Sequence, residues 1–315
     1  MDFFDENRSG ILLSRQQVPT YVGNQPKKMN LGKTRTKGYE IDLKFQWHSK
    51  DGSWYIYAKP SIAFSDNRII SKDEPLYTPA YMKEEGHRIG QIFGYHHTGF
   101  IQDGNVAMTT ARFGAGILGL GDTEFVDFNG DGIIDTKDMY ALGYTQTYPL
   151  YSYALPLGFS WKGLSFDMLF QAVSHISRKC VDNFAWPLHR LSNQVFDYQM
   201  DSWSPDNRDA RYPAYHFDSN RIHNNIGDGT PKSTAVYDAS YLRLKSISLS
   251  YSLPEKSVSK MVLSSMRFFF KANNLFTWAP NYPLADPEAT DGGSEMTNGY
   301  YPMTRTFTFG LNLGF

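Results

Sequence analysis

Regular alternation of apolar and polar residues restricts the possible folds of this chain more than any other feature. From Tyr39 to Trp47, in the segment GYEIDLKFQWH, every second residue is apolar and every intervening residue is charged or polar. Successive side chains of a β-strand point to opposite faces. The pattern therefore predicts strands with one apolar and one polar face. Similar segments begin near Trp54, Tyr151, Leu164, Tyr241, Met266 and Thr304, and Asp2 to Phe4 predict the tail of an eighth strand.

The connections between these segments alternate between long and short. Two long ones cover residues 66–149 and 177–238, while Lys162 and Gly163 alone connect the segments starting at Tyr151 and Leu164. In an up-and-down meander, this alternation places all long loops at one rim and all tight turns at the other. The segments are about ten residues long, as a tilted membrane-spanning strand requires. The sequence predicts an all-β fold, an antiparallel up-and-down transmembrane β-barrel section whose two long loops are extracellular.

A soluble β-sandwich with its apolar faces turned inward is the alternative that alternation alone leaves open. No segment approaches the roughly 20 apolar residues of a membrane-spanning helix, and the first ten residues do not resemble a secretory signal. The formal net charge is -1 and no basic run occurs, which argues against nucleic acid as a partner. Cys180 is the single cysteine, so an internal disulfide framework is excluded.

The segment DFNGDGIIDTKD, residues 127–138, has the spacing of a calcium-binding loop of the EF-hand type. The residues expected to supply oxygen ligands are Asp127, Asn129, Asp131, Ile133, Asp135 and Asp138. Ile133 would contribute its backbone carbonyl, and the other five their side chains. An Asx-rich turn without metal is the alternative. A calcium sensor requires flanking helices, and none is expected here. The motif therefore predicts a structural Ca²⁺ ion that rigidifies the long loop.

Several stretches in the same order resemble the C-terminal part of the barrel of SusC/RagA-type TonB-dependent outer-membrane transporters. They are NLGKTRTKGYEIDL, VDFNGDGIIDTKD, WSPDNRDARYP, DASYLRLKSISLSYSLP, RFFFKANNLFTW, DPE at Asp286 to Glu288, and the closing YPMTRTFTFGLNLGF. The resemblance covers almost all of residues 1–315. It implies about the last third of a barrel of about 22 strands. The family's signal peptide, TonB box, plug domain and earlier strands would precede Met1.

The resemblance also implies a function and partners. The expected function is import of oligosaccharide or peptide across the outer membrane, with a SusD-like surface lipoprotein as lid and energy from the TonB complex through the N-terminal part. The expected surroundings are outer-membrane lipid. The barrel assembly machinery of such proteins recognises a final strand with the pattern polar, x, Gly, x, x, hydrophobic, x, aromatic. The residues that match this pattern are Thr308, Gly310, Leu313 and Phe315.

No nucleophile elbow, HExxH motif, P-loop or dinucleotide fingerprint occurs, so no enzymatic activity is expected. Two functional hypotheses follow. The first is a section of a TonB-dependent importer. The second is a soluble calcium-binding β-module that binds carbohydrate.

Overall fold

The computed structural model describes residues 1–16, 27–104, 110–113, 117–180, 195–216, 232–259, 263–283, 286–288, 295–296 and 303–315. Within them the strands are β1 Asp2–Leu13, β2 Met29–Asp42, β3 Phe45–His48, β4 Trp54–Ala58, β5 Ser61–Ser71, β6 Gln91–Gly94, β7 His97–Phe100, β8 Thr123–Phe125, β9 Tyr140–Thr145, β10 Tyr151–Trp161, β11 Leu164–Ser174, β12 Ser177–Cys180, β13 Val236–Asp238, β14 Tyr241–Ser252, β15 Ser265–Trp278, β16 Glu295–Met296 and β17 Thr306–Gly314. Helical segments are short: α1 at Glu255–Val258 and 3-10 turns at Ala80–Met82, Thr136–Asp138, Asp197–Gln199 and Ser233–Ala235.

One large antiparallel sheet organises the chain. Its order is β1-β2-β5-β10-β11-β14-β15-β17, and β3 and β4 continue β2 and β5 beyond short interruptions. Each strand therefore pairs with the next long strand along the chain, as in a meander. This confirms the predicted all-β antiparallel class. None of the helices among the described residues is both long and apolar enough to cross a membrane.

The two ends of the sheet differ in their connections. At one end, here called the tight-turn end, Lys162 and Gly163 join β10 to β11 with φ values of 44° and 88°. Positive φ at both central residues is the geometry of a two-residue type I′ hairpin, whose twist matches that of the strands. At the opposite end, the long-loop end, the connections of residues 14–28, 72–150, 175–240 and 279–305 begin and end.

The first strand is longer than the sequence predicted. Instead of a tail at Asp2 to Phe4, β1 runs to Leu13 and pairs with β2 from Asp2↔Glu40 to Leu13↔Met29. The prediction failed because apolar residues stop alternating after Phe3, where Asp5 and Asn7 take their positions on the same face. A β-strand keeps its backbone pairing when the chemistry of one face changes.

The boundaries of the two long loops also shift. The loop predicted at 66–149 starts after Ser71, because β5 continues past Phe64 with Asp66 and Arg68 in place of apolar residues. The loop predicted at 177–238 begins and ends in paired strands, with β12 against β13 from Ser177↔Asp238 to Lys179↔Val236. Its residues 181–194 and 217–231 lie outside the described part.

The sheet has one apolar and one polar face, as predicted. The apolar face remains open: Phe309 is 79% exposed, and Phe45, Trp47, Ile56, Phe268 and Leu313 are also exposed. Buried hydrophobic clusters lie mainly among the long-loop connections, around Tyr237, around Phe125 and around Trp203. The described residues place no second sheet against the apolar face, so they form no sandwich core.

Candidate functional sites

The calcium-type loop, residues 127–138, is organised by carboxylates that accept backbone hydrogen bonds. Asp127 accepts from the N–H of Gly130 through Oδ1 and from that of Gly132 through Oδ2, both at 2.7 Å. Gly130 and Gly132 have φ values of 75° and 80°, a conformation that glycine adopts without the steric penalty of a Cβ atom. The two glycines thus let the chain turn around Asp127.

Asp138 closes this loop from the other side. It is fully buried, and it accepts from Phe128 N–H through Oδ1 and from Asp135 N–H through Oδ2, both at 2.8 Å. Asp135 in turn caps the 3-10 turn by accepting from Lys137 N–H at 2.7 Å. That backbone hydrogen bond is the main reason why the pKa of Asp135 lies below its ordinary value. Asp138 therefore has a structural role that its position in the motif did not reveal.

The loop is also anchored to the rest of the long connection. Ile134 is buried with Tyr95 and Phe125, and its N–H donates to the carbonyl of Arg112 at 2.9 Å. The ring of Phe128 packs against Tyr81 and Tyr140 with centroid distances of 4.5 and 4.8 Å. These contacts fix both ends of the loop, while Asp131 and Asp135 remain open to solvent.

A cation of the protein already lies beside the loop. Lys137 Nζ is 3.3 Å from Asp135 and 4.0 Å from Asp131. Among the residues that the structure describes, no group of three or more histidine, cysteine, aspartate or glutamate side chains is arranged to hold a metal ion. The donor set is nevertheless all oxygen, which is the chemistry that Ca²⁺ requires.

The four residues of the expected assembly pattern lie at the edge of the sheet, in or just after β17. Thr308 and Gly310 pair with Lys271 and Phe269, and Leu313 pairs with Met266. Phe315 follows the strand and is 93% exposed. A Cβ atom at Gly310 would lie 2.1 Å from the ring of Phe269. Glycine at this position therefore lets the ring of Phe269 lie directly over the backbone of β17.

The polar face of the sheet carries cross-strand hydrogen bonds. Tyr57 donates its hydroxyl to Asp167 at 2.7 Å, and its ring lies close over Gly158. Arg267 donates to Ser250 at 2.8 Å. These contacts fix side chains across neighbouring strands of the polar face.

A second charged site was missed by sequence analysis. Arg243 on β14 is fully buried; it donates to Glu288 at 2.8 Å and also pairs with Asp286. Lys245 donates to the same oxygen of Glu288 at 2.7 Å, and the hydroxyl of Tyr241 donates to the other oxygen. We call these five residues the Arg243 cluster. It ties the DPE segment of the connection after β15 to strand β14 of the large sheet.

The electrostatics of the Arg243 cluster favour an ionised Glu288. Burial raises the pKa of Glu288, but hydrogen bonds from Lys245 and Tyr241 and the charge of Arg243 outweigh this effect, so its pKa is lowered overall. Both segments of the cluster, YLRLK and DPE, belong to the stretches that carry the family resemblance. No local spacing connects them, because they lie 43 or more residues apart.

Comparison with known proteins gives a consistent result. TonB-dependent receptor P3 of Formosa agariphila is 29% identical over 96% of this chain, and TonB-dependent receptor P26 of the same organism is 30% identical over 62%. The chain spans 31% of the first relative and 20% of the second. No family model matches the chain.

Solved structures agree with the sequence relatives. The structure of the RagAB peptide transporter aligns with a TM-score of 0.72 at 21% identity, covering 99% of this chain and 33% of that one. The RagAB peptide importer in its "closed-closed" state aligns with a TM-score of 0.71. The resemblance to SusC/RagA-type TonB-dependent transporters is thereby confirmed. The sequence relatives are named as receptors and the structural neighbours as a transporter and importer, and none of these names is that of an enzyme.

Proposed function

We propose, from its homology to TonB-dependent receptors, that this chain is a wall section of an outer-membrane transporter. The observation that carries the proposal is the exposed apolar face of the sheet. Soluble monomers rarely expose so large an apolar surface, whereas a transmembrane barrel exposes such a surface to lipid. The polar face, with Tyr57, Asp167 and Arg267, would line a water-filled lumen.

The proposed activity is TonB-dependent import of a nutrient, either peptide or oligosaccharide. The structural neighbours are described as peptide transporters, which supports a peptide, whereas the names of the sequence relatives specify no substrate. A SusD-like surface lipoprotein is the proposed lid, and the TonB complex is the proposed energy source. Both partners would act through the whole receptor. A soluble calcium-binding carbohydrate module is not favoured, because its apolar face would have to be covered.

The test compares two neighbouring residues on opposite faces of β11. Met168 lies on the apolar face and Leu169 on the polar face. In the full-length receptor, Met168→Arg should reduce the amount in the outer membrane, because a cation at the midplane of a barrel costs about 2–4 kcal/mol. Leu169→Arg should be inserted at close to normal levels. Equal insertion of the two variants, measured by immunoblotting of outer-membrane fractions, would contradict the proposal.

We also propose a structural Ca²⁺ ion in the calcium-type loop. Asp127, Asn129 and Asp131 would supply side-chain oxygens and Ile133 its backbone carbonyl, with Asp135 and Asp138 completing the set. The ion would neutralise the exposed carboxylates and rigidify the long connection. Elemental analysis of the purified receptor should find one calcium per chain, reduced in Asp131→Ala. A wild-type receptor that takes up no calcium at millimolar concentration would exclude the ion.

The assembly pattern is a third proposal. Thr308, Gly310, Leu313 and Phe315 would be recognised by the barrel assembly machinery. Phe315→Ser should lower the amount of receptor in the outer membrane much more than Phe307→Ser, which removes a ring from the same face of β17 at its other end. Equal effects would mean that Phe315 serves only as one more lipid-facing side chain.

A further inference from the structure

The apolar face of the first strands ends in a continuous line of aromatic rings. Phe3, Tyr39, Phe64 and Tyr151 are directly opposite one another on β1, β2, β5 and β10. Their successive ring centroids are 6.3, 5.2 and 5.0 Å apart. We call them the aromatic band. Aromatic rings in such a line mark the level of lipid headgroups on a transmembrane barrel.

The next positions on the same face, toward the long-loop end, are charged. Asp5, Lys37 and Asp66 form the first line across the three strands, and Arg35 and Arg68 are opposite one another in the second line. A shallow groove joins both levels, and it is lined by Phe3, Phe4, Asp5, Lys37, Gly38, Tyr39 and Phe64. Charged and aromatic groups thus border one open groove. We call Arg35, Lys37 and Arg68 the basic row.

The carboxylates present do not neutralise these cations. Arg35 binds both oxygens of Asp5, at 2.8 and 2.5 Å, while Lys37 Nζ lies 3.9 Å from the same carboxylate. Asp66 accepts hydrogen bonds from Arg68 Nε at 3.2 Å and from Arg88 Nε at 2.6 Å. Among the described residues, four cations therefore share two carboxylates, which leaves an excess of two positive charges in this group.

The excess charge is accessible. The side chain of Lys37 is 57% exposed, and those of Arg35 and Arg68 are about two-fifths exposed. At the same end of the sheet, the apolar face of β14 and β15 carries Leu242, Phe276 and Trp278. The basic row is therefore a local feature of β2 and β5 and is not repeated on those strands.

We propose that the basic row binds the phosphorylated headgroup of a lipid in the outward-facing leaflet. Arginine and lysine donate strong charge-assisted hydrogen bonds to phosphate, and long basic side chains at a membrane interface extend toward headgroups. The acyl chains of the lipid would extend past the aromatic band along the apolar face, toward the tight-turn end. This inference rests on the proposed outer-membrane location, which places the long-loop end outside the cell.

The experiment uses the full-length receptor, purified from outer membranes in detergent. The probe is bisphosphorylated lipid A, and bound lipid is counted by native mass spectrometry. The wild type should retain lipid A. The triple variant Arg35→Gln, Lys37→Gln, Arg68→Gln should bind it with an affinity at least about tenfold lower. The matched control changes three cations that do not belong to the row: Arg8→Gln, Lys59→Gln and Lys271→Gln. It should bind like the wild type.

Two results would overturn the inference: equal binding by the triple variant and the wild type, or equal binding of lipid A from which both phosphates have been removed. Because the wild type is first recovered from the outer-membrane fraction, its absence there would refute the proposed function instead. Normal recovery of the triple variant from that fraction shows that it has folded. If its recovery is low, the single change Lys37→Gln, which breaks only a 3.9 Å contact, is measured in its place.

Discussion

The calcium-type loop and the Arg243 cluster are both rich in carboxylates, but different groups satisfy those carboxylates. In the loop, backbone N–H groups within ten residues occupy the oxygens of Asp127 and Asp138. In the cluster, Arg243 and Lys245 of β14 share one oxygen of Glu288, which lies more than 40 residues further along the chain. The loop can therefore form its hydrogen bonds locally, whereas the cluster exists only when two distant segments have come together. Carboxylates that are bound by nearby backbone groups should therefore respond to substitution differently from carboxylates that are bound by distant side chains.

The largest effect is expected for Arg243→Met. Removing the buried cation takes from Asp286 its ion-pair partner and leaves Glu288 with Lys245 and Tyr241, and breaking a buried pair in this way costs roughly 3–5 kcal/mol. Since both carboxylates keep slight exposure to solvent, the lower end of that range is expected. The DPE segment should detach locally, so protection of the Glu288 amide from hydrogen exchange should fall about 100-fold.

Lys245→Met is the matched control for this prediction. Lys245 binds the same oxygen of Glu288 but is partly exposed, and exposed ion pairs contribute only about 0–1 kcal/mol. Equal loss of protection in the two variants would show that burial of Arg243 does not distinguish the two cations.

A smaller effect is expected for Asp138→Ala in the loop. The substitution leaves the N–H groups of Phe128 and Asp135 without their acceptor, at a cost of about 1–3 kcal/mol. Hydrogen exchange at these two amides should accelerate while Glu288 is unaffected. Asp138→Asn, which keeps an acceptor oxygen, should retain part of the protection. An unchanged exchange rate in Asp138→Ala would mean that the loop does not depend on the hydrogen bonds that Asp138 accepts.

The same difference explains what could be predicted from sequence. The loop was recognised because its ligands, its glycines and its turn lie within twelve residues. The Arg243 cluster was not recognised, because nothing in the segments YLRLK and DPE indicates that they contact each other. The strands were predicted where one face must remain apolar, from Tyr39 to Trp47 for instance. Beyond the aromatic band, β1 and β5 continue with Asp5, Asp66 and Arg68, so alternation ends before the backbone pairing does.

Acid should affect the Arg243 cluster only at low pH. The pKa of Glu288 is lowered in the folded protein. Its contribution to stability is therefore fully present above the ordinary glutamate pKa of about 4.3, and it is lost as the pH falls through the lowered value. Protection of the Glu288 amide, corrected for intrinsic exchange, should be constant from about pH 8 to 5 and should decrease below about pH 4. In Glu288→Gln it should be lower and should not decrease in that range. A decrease that already begins near neutral pH would contradict this assignment.

The smallest effect concerns the cation beside the loop. Lys137 lies near Asp131 and Asp135, where it offsets the charge that a calcium ion would neutralise. Lys137→Met should therefore raise the affinity of the loop for Ca²⁺ by about twofold to fivefold, because an exposed charge a few ångströms away acts through solvent of high dielectric constant. Calorimetric titration of the full-length receptor measures this change, and Lys59→Met, on the distant strand connection, is the control. A lower affinity in Lys137→Met would show that the lysine organises the loop instead of competing with the ion.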